Sequence, residues 1–103
     1  MAAHLLVLYP HPKDPAAFDR VYREEHLPFA GPRLAGATGV ASRRVVGPAF
    51  APPPWHMISD VTFPSIEVLK ACATSKDGQD ALAHAASISS GGAPAVVVTV
   101  DEG

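Results

Sequence analysis

The sequence is poor in cysteine and lacks long runs of basic or of apolar residues. Cys72 is the single cysteine, so no disulfide can form within the chain, and a disulfide-stapled secreted scaffold is excluded. The 8 Lys and Arg residues are outnumbered by 10 Asp and Glu residues and form no stripe that would bind nucleic acid. No segment approaches the roughly 20 consecutive apolar residues of a membrane span. We therefore expect a protein that binds neither nucleic acid nor a membrane.

The N-terminal stretch MAAHLLVLYPHPKD has no basic region of the kind that starts a signal peptide, and we interpret its apolar part as a strand. A cytoplasmic protein is therefore expected. The length of 103 residues predicts one domain, spanning residues 1–103. Apolar residues make up 48% of the chain, but many are alanine, so a homodimer would help to bury the few large ones.

Apolar and β-branched composition predicts four strands: His4–Tyr9, Val40–Val46, Trp55–Phe63 and Ala95–Val100. The third alternates, with Trp55, Met57, Ser59, Val61 and Phe63 on one face. Between the second and third strands, the proline-rich connector Gly47–Pro54 is unsuited to regular structure.

Three helices are predicted. The first begins at Pro15, capped by Asp14, and ends at His26 or Leu27, because Pro28 disfavours helical geometry in the residue before it. The second is capped by Ser65 and ends near Ala73. Ser75 or Asp77 starts a third, short helical stretch, at about Gln79 to Ile88. The order is that of a ferredoxin-like α+β fold, βαββαβ, with an extra short helix before the last strand and a four-stranded antiparallel sheet.

The first helix places an ionisable side chain on an apolar stripe. Phe18, Tyr22, His26 and Phe29 recur at spacings of three and four, so Tyr22 and His26 should face the core or a cavity in it. His26 is then either a core histidine bonded to a backbone carbonyl or a pocket histidine that acts as an acid, a base or a hydrogen-bonding group. Tyr22 either packs or orients a substrate oxygen.

Other candidate sites have weaker patterns. His56 and Asp60 share a strand face but would lie about 13 Å apart, too far to act as an acid–base pair. The five histidines show no metal-ligand spacing, so no metal is expected. The glycines form no dinucleotide-binding or phosphate-binding loop, so no cofactor is expected either.

Four segments in order resemble the EthD family, named after a protein of ethyl tert-butyl ether degradation. LYPHPKDPAAFDRVYREEHLP contains two of them: the family's Tyr-Pro at the end of a strand, and a helix with its Tyr-x-x-x-His-x-Pro, here Tyr22, His26 and Pro28. FPSIEVLKAC is similar to its Phe-x-Ser-x-Glu segment, and SKDGQDALAH to its Ser-x-Glu-Gly-Gln segment. His84 falls where many members carry an aspartate.

The resemblance implies a dimeric α+β barrel, in which two protomers close their sheets into one barrel and each holds a cavity between helices and sheet. The superfamily includes cofactor-free monooxygenases, isomerases and cyclases as well as haem-binding enzymes. We therefore hypothesise a cofactor-independent homodimeric enzyme of oxygenase or isomerase type that acts on a small apolar organic compound in catabolic or secondary metabolism.

In this hypothesis His26 and Tyr22 are the catalytic pair, and substrate binds against Phe18, Phe29, Trp55 and Met57. The alternative is a non-catalytic, ligand-binding or accessory dimer that supports an oxidase system. Either protein would have a small organic molecule as its partner.

Overall fold

The computed structural model describes all residues, 1–103, and consists of one antiparallel sheet with helices on one face. The strands are β1 (Ala3–Tyr9), β2 (Gly39–Arg44), β3 (Met57–Phe63) and β4 (Ala95–Val100). Their order in the sheet is β2-β3-β1-β4, with every neighbouring pair antiparallel. The two central strands are therefore β1 and β3. This arrangement confirms the predicted ferredoxin-like α+β fold.

The helices cover the inner face of the sheet. They are α1 (Pro15–Val21), α2 (Leu27–Ala30), α3 (Ile66–Thr74) and α4 (Lys76–Ile88), and α1 is joined to α2 by a π-helical turn, Tyr22–His26. A short 3₁₀ turn, Gly31–Arg33, follows α2. No helix in the structure combines the length and the hydrophobicity that a membrane span requires.

The first helical segment continues past Pro28, so the predicted end at His26 or Leu27 is wrong. Proline lacks an N–H, and its ring collides with the carbonyl four residues earlier in an ordinary α-helix. The π-helical turn lies directly before it, and the Leu27 N–H donates to the carbonyl of Tyr22, five residues back. This wider turn separates the ring from the carbonyl that would obstruct it. The chain thus remains helical from Pro15 to Arg33.

The third predicted helix also differs from the structure. It begins at Lys76, directly after the predicted start residue Ser75, and with 13 residues it is the longest helix rather than a short one. Ser75 is its N-cap and ends α3 at the same time, because its hydroxyl donates to the Cys72 carbonyl and accepts from the Gly78 N–H. Ser75 alone therefore joins the two helices, with no further linker residues between them.

Strand ends depart from the prediction by about two residues. The second strand ends at Arg44 instead of Val46, and the third begins at Met57 instead of Trp55. The prolines of the connector leave Trp55 outside the hydrogen-bonded ladder. Connector residues 47–54 are irregular, as predicted.

Two clusters of buried residues occupy the inner face of the sheet. One comprises Ala3, Leu5, Val61, Phe63, Leu69 and Cys72. The other comprises Val7, Tyr9, Phe18, Tyr22, Met57 and Ala85. The partly buried Leu82 of α4 packs against both clusters. The core therefore has two packed ends rather than one continuous centre.

The junction between α3 and α4 predicts a sharp response to substitution. A Cβ at Gly78 would run into the backbone carbonyl of Cys72. Since backbone cannot give way as a side chain can, we expect Gly78→Ala to lower the free energy of unfolding by about 2 kcal/mol, measured in urea. The control, Gly31→Ala, adds a Cβ that meets no atom within 4 Å. Equal losses in the two variants would contradict this packing.

Candidate functional site

A cavity of about 270 Å³ lies between the inner face of the sheet and the helices. Leu5 and Val61 of one core cluster and Val7 and Ala85 of the other face it, so it separates the two packed ends. Ten of its 14 lining residues are hydrophobic, which suits an apolar ligand. The full wall is Leu5, Val7, His26, Leu27, Ala30, Gly31, Leu34, Val40, Ser42, Ser59, Val61, Ala81, Leu82 and Ala85.

Small side chains create this space. The helices contribute Ala30, Ala81 and Ala85, and the sheet contributes Ser42 and Ser59, at positions where larger residues would fill the core. Ser42 and Ser59 are direct partners in the β2–β3 register, so their hydroxyls lie side by side on the cavity wall. The alanine-rich composition thus leaves an internal cavity between elements that are otherwise well packed.

Tyr22 lies behind the polar part of the wall. Its hydroxyl is 2.6 Å from the Ser42 Oγ and 3.1 Å from the Ser59 Oγ, and its side chain is buried. It does not itself line the cavity, but it holds the two serine hydroxyls that do. Its ring packs at an angle against Tyr9 and stacks on Phe18. The tyrosine is therefore anchored on both its apolar and its polar side.

His26 is the one ionisable residue on the cavity wall. It is only 5% exposed, and its ring centroid lies 5.5 Å from that of Tyr22. Its Nδ1 is 2.9 Å from the Nδ1 of His84, so its partner is another imidazole rather than a backbone carbonyl. Burial, with a smaller contribution from the charge of His84, lowers the pKa of His26 to about 4. The ring is therefore neutral at pH 7.

His84 belongs to α4 and closes the site from the other side. Its ring is almost parallel to that of His26, at 4°, and it stacks on Phe29 with centroids 4.5 Å apart. The Arg33 guanidinium lies 3.7 Å from the Phe29 ring centre and donates to the Phe29 carbonyl. A stack of His84, Phe29 and Arg33 thus links α4 to the end of the first helical segment.

The residues predicted to bind substrate are not gathered in this cavity. Phe18 is buried among Tyr9, Tyr22 and His56, and Phe29 stacks on His84. Trp55 is partly exposed and borders neither cavity. Met57 lines a second, more open groove of about 290 Å³, formed with Asp19, Tyr22, Arg23, Leu27, Ser42 and Arg44.

Sequence reasoning missed three polar residues of the site: Ser42, Ser59 and His84. A signal existed for Ser59, which is a serine among the apolar residues on the buried face of an alternating strand. Ser42 could be recognised only from the strand register, because buried and exposed residues alternate weakly along β2. His84 required the packing of α4 against the π-helical turn, which no local pattern shows.

The two remaining candidates, His56 and Asp60, bind other residues and not each other. The His56 Nε2 is 2.8 Å from Asp19, which also accepts from Arg44. Burial opposes charge on Asp19, but these two hydrogen bonds outweigh it and lower the pKa of the carboxyl group. Asp60 lies on the outer face of the sheet, between His4 and Arg43. No three His, Cys, Asp or Glu side chains converge as metal ligands anywhere in the chain.

Comparison with known proteins agrees with this architecture. The family model of the EthD domain matches residues 10–87. The chain is 30% identical over 86 residues to an uncharacterized 11.0 kDa protein of the thcB–thcC intergenic region of Rhodococcus erythropolis, with 84% of this chain and 82% of that protein covered. The match to the family model confirms the resemblance found in the sequence.

Solved structures share the fold at low identity. An EthD family protein from Bacillus halodurans C-125 superposes with a TM-score of 0.83 at 20% identity, covering 99% of this chain and 100% of that one. A dimeric ferredoxin-like protein of unknown function from Jannaschia sp. CCS1 gives 0.66 at 21% identity, with 97% and 98% covered. SnoaB, a cofactor-independent oxygenase from Streptomyces nogalater, gives 0.62 at 11% identity, with 99% and 95% covered.

The buried, neutral state of His26 predicts how stability depends on pH. The pKa of His26 is about 4 in the folded protein and about 6.5 when unfolded, so the unfolded chain binds a proton first as the pH falls. The contribution of this residue is full above pH 6.5 and declines toward pH 4, with a loss of about 2 kcal/mol at pH 5. We expect His26→Gln to remove this part of the decline in urea unfolding measured from pH 8 to pH 5.

Comparing the two proteins cancels the contributions of ionisable residues that do not contact His26. Between pH 7 and pH 8 the difference in unfolding free energy should be constant, since His26 is neutral in both states there. If the unfolding free energies of the wild-type protein and His26→Gln fell in parallel down to pH 5, the His26 ring would be solvated rather than buried.

Proposed function

Because this chain belongs to the EthD family, we propose that it is a cofactor-independent enzyme of oxygenase or isomerase type that acts on a small, largely apolar organic compound. The setting that fits such a substrate is catabolic or secondary metabolism. The observation that carries the proposal is the uneven cavity wall, which is apolar except for the serine hydroxyls and the ring of His26. Such a wall binds an apolar body and orients one polar group.

His26 is the acid–base residue of this proposal. Its Nδ1 is occupied by His84, while its Nε2 has no hydrogen-bond partner in the chain. A neutral imidazole with a free ring nitrogen can take a proton from a ligand C–H or O–H group. Isomerisation and oxygen insertion into a carbanion both begin with that step. The fold of SnoaB, which is a cofactor-independent oxygenase, is compatible with such chemistry.

Tyr22 acts in this proposal as a positioning residue. Its hydroxyl group donates to the Ser59 Oγ and, having one proton, accepts from the Ser42 hydroxyl. The Ser59 proton stays free to donate to a substrate oxygen that gains negative charge when His26 removes a proton. The base and this donor lie on the wall of the same cavity. A carbonyl compound bound between them would be activated from both sides.

Cyclohexanone, an apolar ring with one carbonyl group, is a suitable probe of this chemistry. We expect the protein to catalyse exchange of the α-hydrogens of cyclohexanone in D₂O, followed by proton NMR. Because general-base catalysis contributes at least about 100-fold, His26→Gln should reduce the catalysed rate by that factor while binding is retained. Ala81→Leu, which fills the cavity and leaves His26 in place, should abolish both binding and exchange.

The same experiment separates the alternatives. Binding without exchange in the wild-type protein would favour the ligand-binding or accessory protein. Absence of binding, together with poor folding of His26→Gln, would make His26 a structural residue and would contradict the proposed enzyme.

We further propose that the chain forms a homodimer through the outer face of its sheet. All helices lie on the other face, so Leu6, Leu8, Ile58 and Val97 are left partly exposed, with Val97 at 43%. Asp60 is neutralised among them by His4 and Arg43, whose hydrogen bonds outweigh the cost of burial and lower its pKa. An apolar face with paired charges suits a second copy of the chain. The Jannaschia protein of this fold is dimeric.

Light scattering at micromolar concentration tests the dimer. We expect twice the 10.7 kDa mass of the chain. Leu6 is paired with Asp60 and Val97 at the centre of the outer face, so Leu6→Glu should yield monomers through lost apolar contact and added like charge. Ala71→Glu, on the exposed side of α3, adds the same charge elsewhere and should remain dimeric. A monomeric wild-type protein would remove the proposed barrel.

A further inference from the structure

The His26–His84 pair contains a hydrogen bond that holds only one proton between two nitrogens. The Nδ1 atoms are 2.9 Å apart, and the rings are parallel within 4°. When both rings are neutral, one Nδ1–H donates and the other Nδ1 accepts. Two arrangements are therefore possible. If His26 donates, its Nε2 carries a lone pair, and if His84 donates, the His26 Nε2 carries a proton.

The two outer nitrogens of this pair face different surroundings. Neither the Nε2 of His26 nor that of His84 has a partner in the chain, and the Tyr9 hydroxyl is the only buried side-chain polar atom without one. An Nε2 atom that was both buried and without a partner would belong with the Tyr9 hydroxyl. Since neither does, both Nε2 atoms are accessible from outside the pair. His26 lines the cavity, whereas His84 does not and is partly exposed on α4. The pair thus spans from the cavity to the protein surface.

We propose that His84 is a proton-relay residue, which carries to solvent the proton that His26 takes from a ligand in the cavity. The inference rests on the proposed function, because it assumes a ligand that loses a proton to His26. It adds a second histidine to the site and gives the proton a defined exit.

The relay balances in three transfers. A ligand C–H or O–H proton moves to the Nε2 lone pair of His26 and leaves its electron pair on the ligand. The Nδ1 proton of His26 then moves to the Nδ1 of His84. Finally His84 releases its Nε2 proton to water. Both rings end neutral, with His84 donating to His26 and a proton on the His26 Nε2, which can be returned to the product.

The environment of the pair explains why a relay is needed. Burial disfavours a positive charge on His26, so a proton taken from a ligand is held poorly there and passes to the more exposed ring. Tyr22 is the other titratable group beside His26, and it is turned toward Ser42 and Ser59. Arg33 lies near His84 only across the Phe29 ring. The charge that moves is therefore confined to the two imidazoles.

The ring nitrogens can be observed without any ligand. In a protein labelled with ¹⁵N at its histidines, multiple-bond correlation spectra show which ring nitrogens carry protons. Above neutral pH we expect His26 to hold its proton on Nδ1 for at least part of the time. As the pH is lowered from 8 to 5, His26 should change to the form protonated at Nε2 alone, because burial disfavours a second proton on its own ring.

Two variants distinguish a relay from a structural contact. His84→Asn retains a hydrogen bond to the Nδ1 of His26 but cannot carry a proton, and His84→Phe keeps the stacking on Phe29 without any hydrogen bond. Both should fold, as judged by thermal unfolding, and both should lose the change of proton position on His26. A switch that persists in either variant would overturn the proposal, as would a His26 in the wild-type protein that keeps one proton position throughout.

Cyclohexanone exchange separates this inference from the proposed function. Exchange in the wild-type protein that is slowed in both His84 variants, together with the proton switch, supports the relay. Exchange without the switch overturns the relay and leaves the enzyme proposal standing. A switch without any exchange in the wild-type protein overturns both the enzyme and the relay from a ligand, and leaves only a coupled histidine pair.

Discussion

The site depends on a helix that does not end where its proline would normally end it. The π-helical turn Tyr22–His26 absorbs Pro28 and carries the chain on to Arg33. Without the continuation, Leu27 and Ala30 would not cover the cavity, and Phe29 would not reach His84. The extra residue in this turn lies between the tyrosine and the histidine of the site. The π-helical turn that accommodates the proline therefore also carries Tyr22 and His26. Such π-bulges are frequent at functional sites.

The cavity follows from how volume is distributed along the sheet. Phe63 and Leu69 fill one end of the inner face, and Tyr9 and Phe18 fill the other. Between them, three alanines and two serines stand among the lining residues, and their short side chains do not fill the gap. The packed ends hold the sheet and helices apart, so the space between them is maintained without a continuous core.

Buried ionisable side chains are stabilised in different ways on the two faces of the sheet. On the outer face and at the rim, Asp60 and Asp19 are each held by a histidine and an arginine, so their negative charge is compensated. On the inner face, His26 has no counter-charge and is kept neutral by burial. A neutral imidazole in an apolar cavity can accept a proton only if the charge can leave again, which gives the contact with His84 its significance.

Much of the fold was predictable from local pattern. The order of elements and the ferredoxin-like class were indicated by signals that act over a few residues. These are the composition of the strands, the alternation of the third strand, and the helix caps at Asp14, Ser65 and Ser75. The helix through Pro28 was not predictable, since a proline ordinarily ends a helix and only the structure shows the π-helical turn that accommodates it.

For the site, the sequence by itself determined that Tyr22 and His26 share the buried side of one helical segment, because their spacing dictates it. Only the tertiary structure decided which groups they meet. Ser42 and Ser59 come together through strand register, and His84 arrives from residues 58 positions away along the chain. Of the aromatic residues predicted as a pocket wall, Phe18 fills the core and Phe29 stacks on His84, since large side chains close space and small ones leave it open.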